Sequence, residues 1–375
     1  MTELSAPPMH ICYLINSKFP SRAAHTIQVM KMCEAFAQAG CSVTLIVPRT
    51  EGEMDYNEIF DYYGVSKVFR ILELPSKNRV VANFLMPLVA LCLRPHVIYG
   101  RHLPSIAILA LVGFHSAFEA HYPILRYRPI LRRVLAFLSK NRKLSLVVIS
   151  SALKQVFTEE HKISEHRILI AHDGANLAPV KAQAQSHSSR LQVGYTGHLY
   201  SGKGMEIVWT LAANTPWADF HIYGGAPEDI QRWQSHLKAS KNVLFHGFIP
   251  PSQVEDVQAK LDVCLAPYQR NVSTAGGSDL NIAEWMSPLK IFEYMSQGKA
   301  IIASRLPTIC EILKDRQTAL LCDPDEIEEW SAALYVLKND LVLRNQLGST
   351  ARKHFEQEFT WRHRGSKILS FLTSK

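Results

Sequence analysis

Two short stretches of the chain combine residue types and spacings suited to holding a diphosphate. The first is Gly197-His198-Leu199-Tyr200-Ser201-Gly202-Lys203-Gly204, with three glycines and a lysine between an apolar run and a helical pattern. Glycines let backbone N–H groups approach a phosphate, a helix amino terminus favours negative charge, and Lys203 adds a full positive charge. The stretch is one position short of a P-loop, which needs Ser or Thr where Gly204 stands. That hydroxyl would hold magnesium, and no apolar strand here ends in the acidic pair such an enzyme uses for its metal. A P-loop NTPase and a plain strand-to-helix turn with a solvent-facing lysine both stay open as readings of this stretch.

The second stretch runs from Ser287 through Pro288, Leu289, Lys290 and Glu293 to Gly298. Ser287 is a natural helix cap, Pro288 fits the first helical position and Gly298 fits the stop, so the spacing predicts a helix over 287–297. Its amino terminus follows a loop containing Gly276-Gly277-Ser278-Asp279 and presents unpaired N–H groups. Glu293, two turns in, is placed to accept hydrogen bonds from both hydroxyls of a ribose. The duller reading is a surface glutamate on an ordinary helix.

The elements around these stretches alternate between two periods. Ile11 to Ile15 form a continuous apolar run, as in a strand buried on both faces; Val29, Met30, Cys33, Phe36 and Ala37 then recur at helical spacing, and Val43 to Val47 are apolar again. A second series begins at Leu191, passes the glycine loop, and reaches a strand ending in Gly224-Gly225. The fold class is therefore α/β with two doubly wound domains. The boundaries read as 1–180 for the first domain, with a returning helix at about 356–375, a small polar linker at 181–190, and 191–355 for the second.

Length agrees with that division, since 375 residues exceed the usual ~150-residue domain about two and a half times. The seven cysteines are scattered and odd in number, with no Cys-x-x-Cys pair, which fits a reduced chain without structural zinc. The amino terminus shows no secretion signal and no apolar stretch approaches the ~20 residues of a membrane span, so the expected location is cytoplasmic. Lys and Arg total 41 against 33 Asp and Glu, a net charge of +8 that favours an anionic partner. No aromatic-rich RNA motif or helix-turn-helix accompanies the charge, and nucleic acid is not expected as a partner.

Taken in order, FPSRAAHTIQVMKMCEAFAQAG, FEAHYP, ISSALK, AHDG, YTGHLYSGKG, NVLFHGFIP, DVCLAPY, SPLKIFEYMSQGKAIIAS and EFTWRHR resemble a retaining GT-B glycosyltransferase of family 4 from end to end. The resemblance implies two facing Rossmann-like domains with an interdomain cleft, and a last helix crossing back to the first domain. It also implies transfer from a nucleoside-diphosphate sugar, UDP- or GDP-linked, with retention of configuration and with no metal or other cofactor. Lys203 then matches the family lysine on the diphosphate and Glu293 the second glutamate of the Glu-x₇-Glu motif. Gly197, His198, Gly224, Ser287, Pro288, Leu289 and Lys290 fall on the donor side, with the base read by backbone near Phe248 and Ile249. Two positions depart from the family: Trp285 stands where the first motif glutamate belongs, with Glu284 one position off, and His198 stands where an arginine often does.

On the first domain, the resemblance assigns His121 to the donor sugar, and Ser21, Ala23, Ala24 and Glu119 to the acceptor side. A lone histidine among sixteen is usually structural; its place at a strand's carboxyl end is what singles out His121. The acceptor is expected to be a hydroxyl of a glycan, a lipid-linked sugar or a small molecule. The stretch 126–143, RYRPILRRVLAFLSKNRK, reads as a basic amphipathic helix suited to an anionic membrane surface. A non-catalytic relative that binds donor without turnover, and a glycan phosphorylase of similar fold, are the other readings.

Overall fold

The computed structural model describes residues 7–17, 19–49, 56–76, 78–123, 143–179, 189–236, 240–273 and 281–374. The basic stretch 126–143 (save Lys143), most of the 181–190 linker and Gly276-Gly277-Ser278-Asp279 therefore lie outside the described residues. The chain divides into two units, one of Met1–His172 with Trp361–Lys375, the other of Asp173–Thr360.

In the first unit, seven parallel strands are β1 (His10–Leu14), β2 (Ser42–Val47), β3 (Arg70–Glu73), β4 (Val97–Gly100), β5 (His115–Ala120), β6 (Leu144–Val148) and β7 (Ile168–Ile170). Their order across the sheet is β3-β2-β1-β4-β5-β6-β7, so the winding reverses between β1 and β4. Such a reversal opens a crevice at the carboxyl ends of the strands, where ligands of α/β sheets bind. Burial on both faces explains the apolar run Ile11–Leu14 of β1 and the mostly apolar β2, in which the polar Thr44 is buried too.

The second unit repeats the plan with β8 (Leu191–Thr196), β9 (Ala218–Tyr223), β10 (Val243–Gly247), β11 (Val263–Ala266), β12 (Ala300–Ser304) and β13 (Leu320–Cys322), ordered β10-β9-β8-β11-β12-β13. Alternate residues of its central strands feed two separate cores. Cys264, Ala266, Ile301 and Ala303 join the cluster around Phe292, Tyr294 and Phe355; Val263, Leu265, Ala300 and Ile302 join the one around Trp330 and Phe220.

The junction falls a few residues earlier than the sequence reading of 180/181, and hydrogen bonding is the reason. Asp173 N–H donates to the Ser287 hydroxyl at 2.9 Å, Ala175 N–H to the Phe359 carbonyl at 3.3 Å, and Ala178 N–H to the Ser296 hydroxyl at 2.9 Å. Residues 173–179 thus belong to the second unit. The returning helix, expected from about 356, begins at Trp361, because the helix Leu341–Glu358 before it packs within the second unit.

That returning helix, Trp361–Thr373, buries Trp361, Arg364, Gly365 and Ile368, a stripe at helical spacing. It packs on the helix Ala24–Gln38 closely enough that a Cβ added at Gly365 would stand 3.2 Å from the Cβ of Ala35. Arg364, almost fully buried, donates through Nη2 to the Glu119 carboxylate at 2.8 Å and through Nε to the His172 carbonyl at 2.8 Å. Removing one member of a buried pair leaves an uncompensated charge. Arg364→Met should therefore cost about 3–5 kcal/mol of stability, read by denaturant unfolding of the full chain. A loss of under about 1 kcal/mol, the level of an exposed pair, would mean that Glu119 is satisfied without the last helix.

Candidate active site

The donor-side residues cluster at the carboxyl ends of β8 and β9 in the second unit. Gly197 follows β8 at φ 137°, and Gly224 follows β9 at φ 117°. A Cβ added at Gly224 would lie 2.1 Å from the Gly197 carbonyl oxygen, so the two bends touch backbone to backbone. At Gly204, the left-handed cap of the helix Met205–Asn214, a Cβ would meet the Pro267 carbonyl at 1.7 Å. A Ser or Thr at this position, as a P-loop has, would clash with that carbonyl.

Lys203 is half-buried, with Nζ 5.2 Å from the Tyr200 ring centre and 5.1 Å from that of Tyr268. Lys290 is more enclosed. Its Nζ sits 3.5 Å above the Tyr195 ring and 5.2 Å from Tyr268, and has no hydrogen-bond partner among the described residues. Burial pulls the Lys203 amine down to about 8. Burial, reinforced by the nearby positive charge of Lys203, pushes Lys290 well below the usual lysine range. Two amines therefore converge on Tyr268, and the Glu293 carboxylate offsets the burial of Lys290 only in part.

Glu293 is half-buried on the helix Leu289–Ser296, and Gln258 Nε2 donates to its Oε2 at 3.2 Å. The same amide donates to the Thr196 hydroxyl at 3.2 Å, while Gln258 Oε1 is buried with no partner among the described residues. His198 stacks on Tyr200 with ring centres 5.2 Å apart, and its carbonyl accepts from the Tyr195 hydroxyl at 2.6 Å. Phe248 and Ile249 follow β10 and are half-buried, Ile249 against the Phe292 core.

The second stretch differs from its sequence reading at its start. The helix runs from Leu289 to Ser296, Pro288 is its cap with φ −74° and ψ 119°, and no side chain caps it. Ser287, read as the cap and as a donor residue, has its hydroxyl engaged by the Asp173 N–H instead. Trp285 is buried and Glu284 exposed, so the position of the first motif glutamate is filled by an apolar side chain packed in the protein.

In the first unit, Glu119 requires a correction. It lies inside β5, fully buried, and not on an acceptor-side loop. Its carboxylate accepts from Gln28 Nε2 at 2.6 Å, Tyr99 Oη at 2.5 Å, His121 Nε2 at 2.8 Å, Arg364 Nη2 at 2.8 Å and Tyr13 Oη at 3.3 Å. Burial opposes its ionisation, but Arg364, His121 and Arg101 outweigh that and hold the carboxyl well below the usual carboxylate range. His121 follows β5 with its side chain 13% exposed. A carboxylate can only accept, so Nε2 carries the imidazole proton. Burial, then the charge of Arg101, pulls His121 down to about 3, against the pull of Glu119. Ser21 is fixed in the loop after β1, where Tyr63 Oη donates to its carbonyl at 3.0 Å; its own hydroxyl accepts from Ala23 N–H at 3.2 Å. Ala24 is exposed at the start of the following helix.

Tyr195, Tyr268, Gln258 and Arg364 went unnoticed in the sequence. Only Arg364 left a signal: an arginine on the apolar stripe Trp361, Gly365, Ile368 implies a buried acidic partner.

Two sheets of this order, each with its crevice at a winding reversal, define the GT-B fold, and solved structures share it end to end. Anabaena HepE in complex with UDP superimposes with TM-score 0.74 at 14% identity, covering 98% of this chain and 100% of that one. A glycosyltransferase from Rickettsia africae matches with TM-score 0.74, 14% identity, and 98% and 99% coverage. Sucrose-phosphate synthase from Thermosynechococcus elongatus matches with TM-score 0.72, 17% identity, and 98% coverage of both chains. No curated protein matches by sequence. The model of Glycosyltransferase Family 4 matches residues 26–178, and that of Glycosyl transferases group 1 matches residues 190–340. With a glycosyltransferase domain in each unit, the chain is a glycosyltransferase.

The buried pair in the first unit sets an acid limit. Folded His121 stays neutral down to about 3, whereas its ordinary value is 6.5. Between those values the unfolded chain binds the extra proton, so stability falls as pH drops from 6.5 towards about 3. The depressed carboxyl of Glu119 acts in the same direction. His121→Gln should flatten the acid side of a melting-temperature profile; an unchanged slope would show that His121 protonates freely in the folded state.

Proposed function

We propose that the chain transfers a sugar from a UDP- or GDP-linked donor to a hydroxyl of a glycan, lipid-linked sugar or small molecule, retaining configuration and without a metal. The observation that carries this reading is the buried Lys290 amine, which has no hydrogen-bond partner among the described residues and stands beside Lys203 and the glycine bends. A diphosphate would neutralise both amines and supply the missing acceptor oxygens. Glu293, held by Gln258, would take the ribose hydroxyls. The solved complex of HepE with UDP supports a uridine donor by likeness of fold alone. Retention of configuration rests on the resemblance to family 4.

In this mechanism the acceptor oxygen bonds to the anomeric carbon as the bond from that carbon to the phosphate oxygen breaks. The departing phosphate takes the acceptor's proton on the same face. Negative charge then grows on the diphosphate, where Lys203 and Lys290 act as preformed electrostatic stabilisers. His121, neutral and oriented by Glu119, is assigned to the sugar. With Trp285 buried in place of a carboxylate, the sugar loses one acidic contact that the family motif would give.

Thermal melting with UDP, GDP and ATP, each with and without magnesium, tests the reading. A donor nucleotide at 100 times its dissociation constant should add about 2.7 kcal/mol without magnesium, and Glu293→Ala should remove the gain. Stabilisation by ATP and magnesium alone, or by no nucleotide, would sink the proposal. Lys203→Ala should lower kcat by about 10²–10³, the usual loss for one well-aimed charge donor; full nucleotide binding with no turnover in the wild type would favour the non-catalytic reading.

Nucleotide affinity should also depend on pH. The anion binds the protonated amines, and free Lys203 loses its proton near about 8. Affinity should therefore weaken as pH rises past that value, by about tenfold per pH unit for each proton taken up. Calorimetry across this range checks it, and a flat profile would exclude both lysines from the diphosphate.

A further inference from the structure

Gln258 stands on the short helix Val254–Ala259 and is fully buried. Its amide Nε2 donates to the Glu293 carboxylate at 3.2 Å and to the Thr196 hydroxyl at 3.2 Å, which uses both of its protons. A carboxylate only accepts, so the nitrogen of the amide, and not its oxygen, must face Glu293. Thr196 is held in turn: its N–H donates to the Tyr294 hydroxyl at 2.9 Å, and its own hydroxyl meets the same oxygen at 3.1 Å. Thr196 closes β8 one residue before the Gly197 bend, and Tyr294 follows Glu293 on the helix Leu289–Ser296. The Gln258 amide oxygen is left buried with no partner among the described residues. Stability alone does not account for such a residue, because a buried acceptor without a donor is destabilising and an apolar side chain of the same length would avoid it.

We propose that Gln258 is a positioning residue that makes the donor site select ribose over deoxyribose, by fixing the direction in which the Glu293 carboxylate presents its oxygens. The inference rests on the reading that Glu293 takes the ribose hydroxyls. Gln258 fills one acceptor direction of Glu293 Oε2 and ties it through Thr196 to the strand end beside the glycine bends. A carboxylate held in one orientation meets two neighbouring hydroxyls without giving up its own freedom on binding. A site arranged in this way to hydrogen-bond hydroxyls rejects an analogue that lacks them, because the carboxylate is then left without those donors. The unsatisfied amide oxygen is a loss to the fold that the site explains, as expected where function and local stability conflict.

Calorimetric titration of the full chain with UDP and GDP, and with their 2′,3′-dideoxy forms, tests the proposal. Gln258→Met keeps the length of the side chain and removes the donor. It should weaken ribonucleotide binding about tenfold, the usual loss of a hydrogen bond to a charged group, and dideoxynucleotide binding less than about twofold, with the melting temperature unchanged or raised. Gln258→Glu supplies a second readout. At about pH 5 its protonated carboxyl still donates to Glu293, and at about pH 7.5 the two carboxylates repel, so its affinity relative to wild type should be close to equal at the first and about tenfold lower at the second. Lys290, Tyr268 and Tyr294 also interact with the charge of Glu293, but they are common to both proteins and the ratio removes them. Ribonucleotide binding by Gln258→Met equal to wild type, or an equal loss with the dideoxy forms, would overturn the proposal, and a pH-independent ratio for Gln258→Glu would do the same. Loss of binding in Glu293→Ala with no change in Gln258→Met would leave the donor reading intact and remove only the role of Gln258. No binding of either ribonucleotide by the wild type would overturn both.

Discussion

Most of the first unit's interior is organised by one negative charge. Glu119 sits on β5 next to β4, which lies next to β1, and each strand contributes a group to the same carboxylate: Tyr99 from β4, Tyr13 from β1. The helix after β1 sends Gln28, the strand end sends His121, and the last helix sends Arg364. A carboxylate without these donors could not be ionised here, and the donors without it would be buried polar groups with little to satisfy them. The arrangement fixes the carboxyl end of β5, and with it the direction of the His121 ring.

The second unit shows the converse: a polar centre in which positive charge is in excess. Lys203 and Lys290 face the rings of Tyr195, Tyr200 and Tyr268 where carboxylates or carbonyls would be expected. Aromatic faces tolerate an ammonium better than aliphatic ones do, yet they supply no hydrogen bonds. The glycine bends at Gly204 and Gly224 hold the surrounding backbone too tightly for Cβ atoms, and a Cβ at Gly197 would press on the end of the Lys290 side chain at 3.0 Å. One unit keeps its buried charge balanced internally; the other leaves that balance to the substrate.

The sequence made the alternation of strands and helices, the two-unit plan and the glycine-lysine loop legible, because each is written in local periodicity or in residues with unusual backbone freedom. It misled where a short-range motif competed with a distant partner. Ser287-Pro288 has the pattern of a helix cap, but the Ser287 hydroxyl is engaged by Asp173, 114 residues away, and the helix starts later. The resemblance assigns Glu119 to the acceptor side, while its five donors come from positions as far off as 13 and 364. Tyr195 and Tyr268 read as ordinary core aromatics, and only the placement of Lys290 between them gives them a role. Short strands such as β3 and β13 carry too few residues for periodicity to announce them.

The route of the chain also sets an order of events during synthesis. The second unit is continuous, Asp173 to Thr360, and holds within itself every strand of its sheet. The first unit is not: its central carboxylate waits for an arginine 245 positions later. As the ribosome extends the chain, the amino-terminal sheet emerges first but lacks the cation that settles its interior, while the carboxyl-terminal sheet already has all it needs when residue 360 appears. Domains generally mature from the amino terminus onward. Here the half that is made first is completed last, and a nascent chain stalled before its final helix would expose an unfinished domain to chaperones and proteases for the whole time the other half takes to be made.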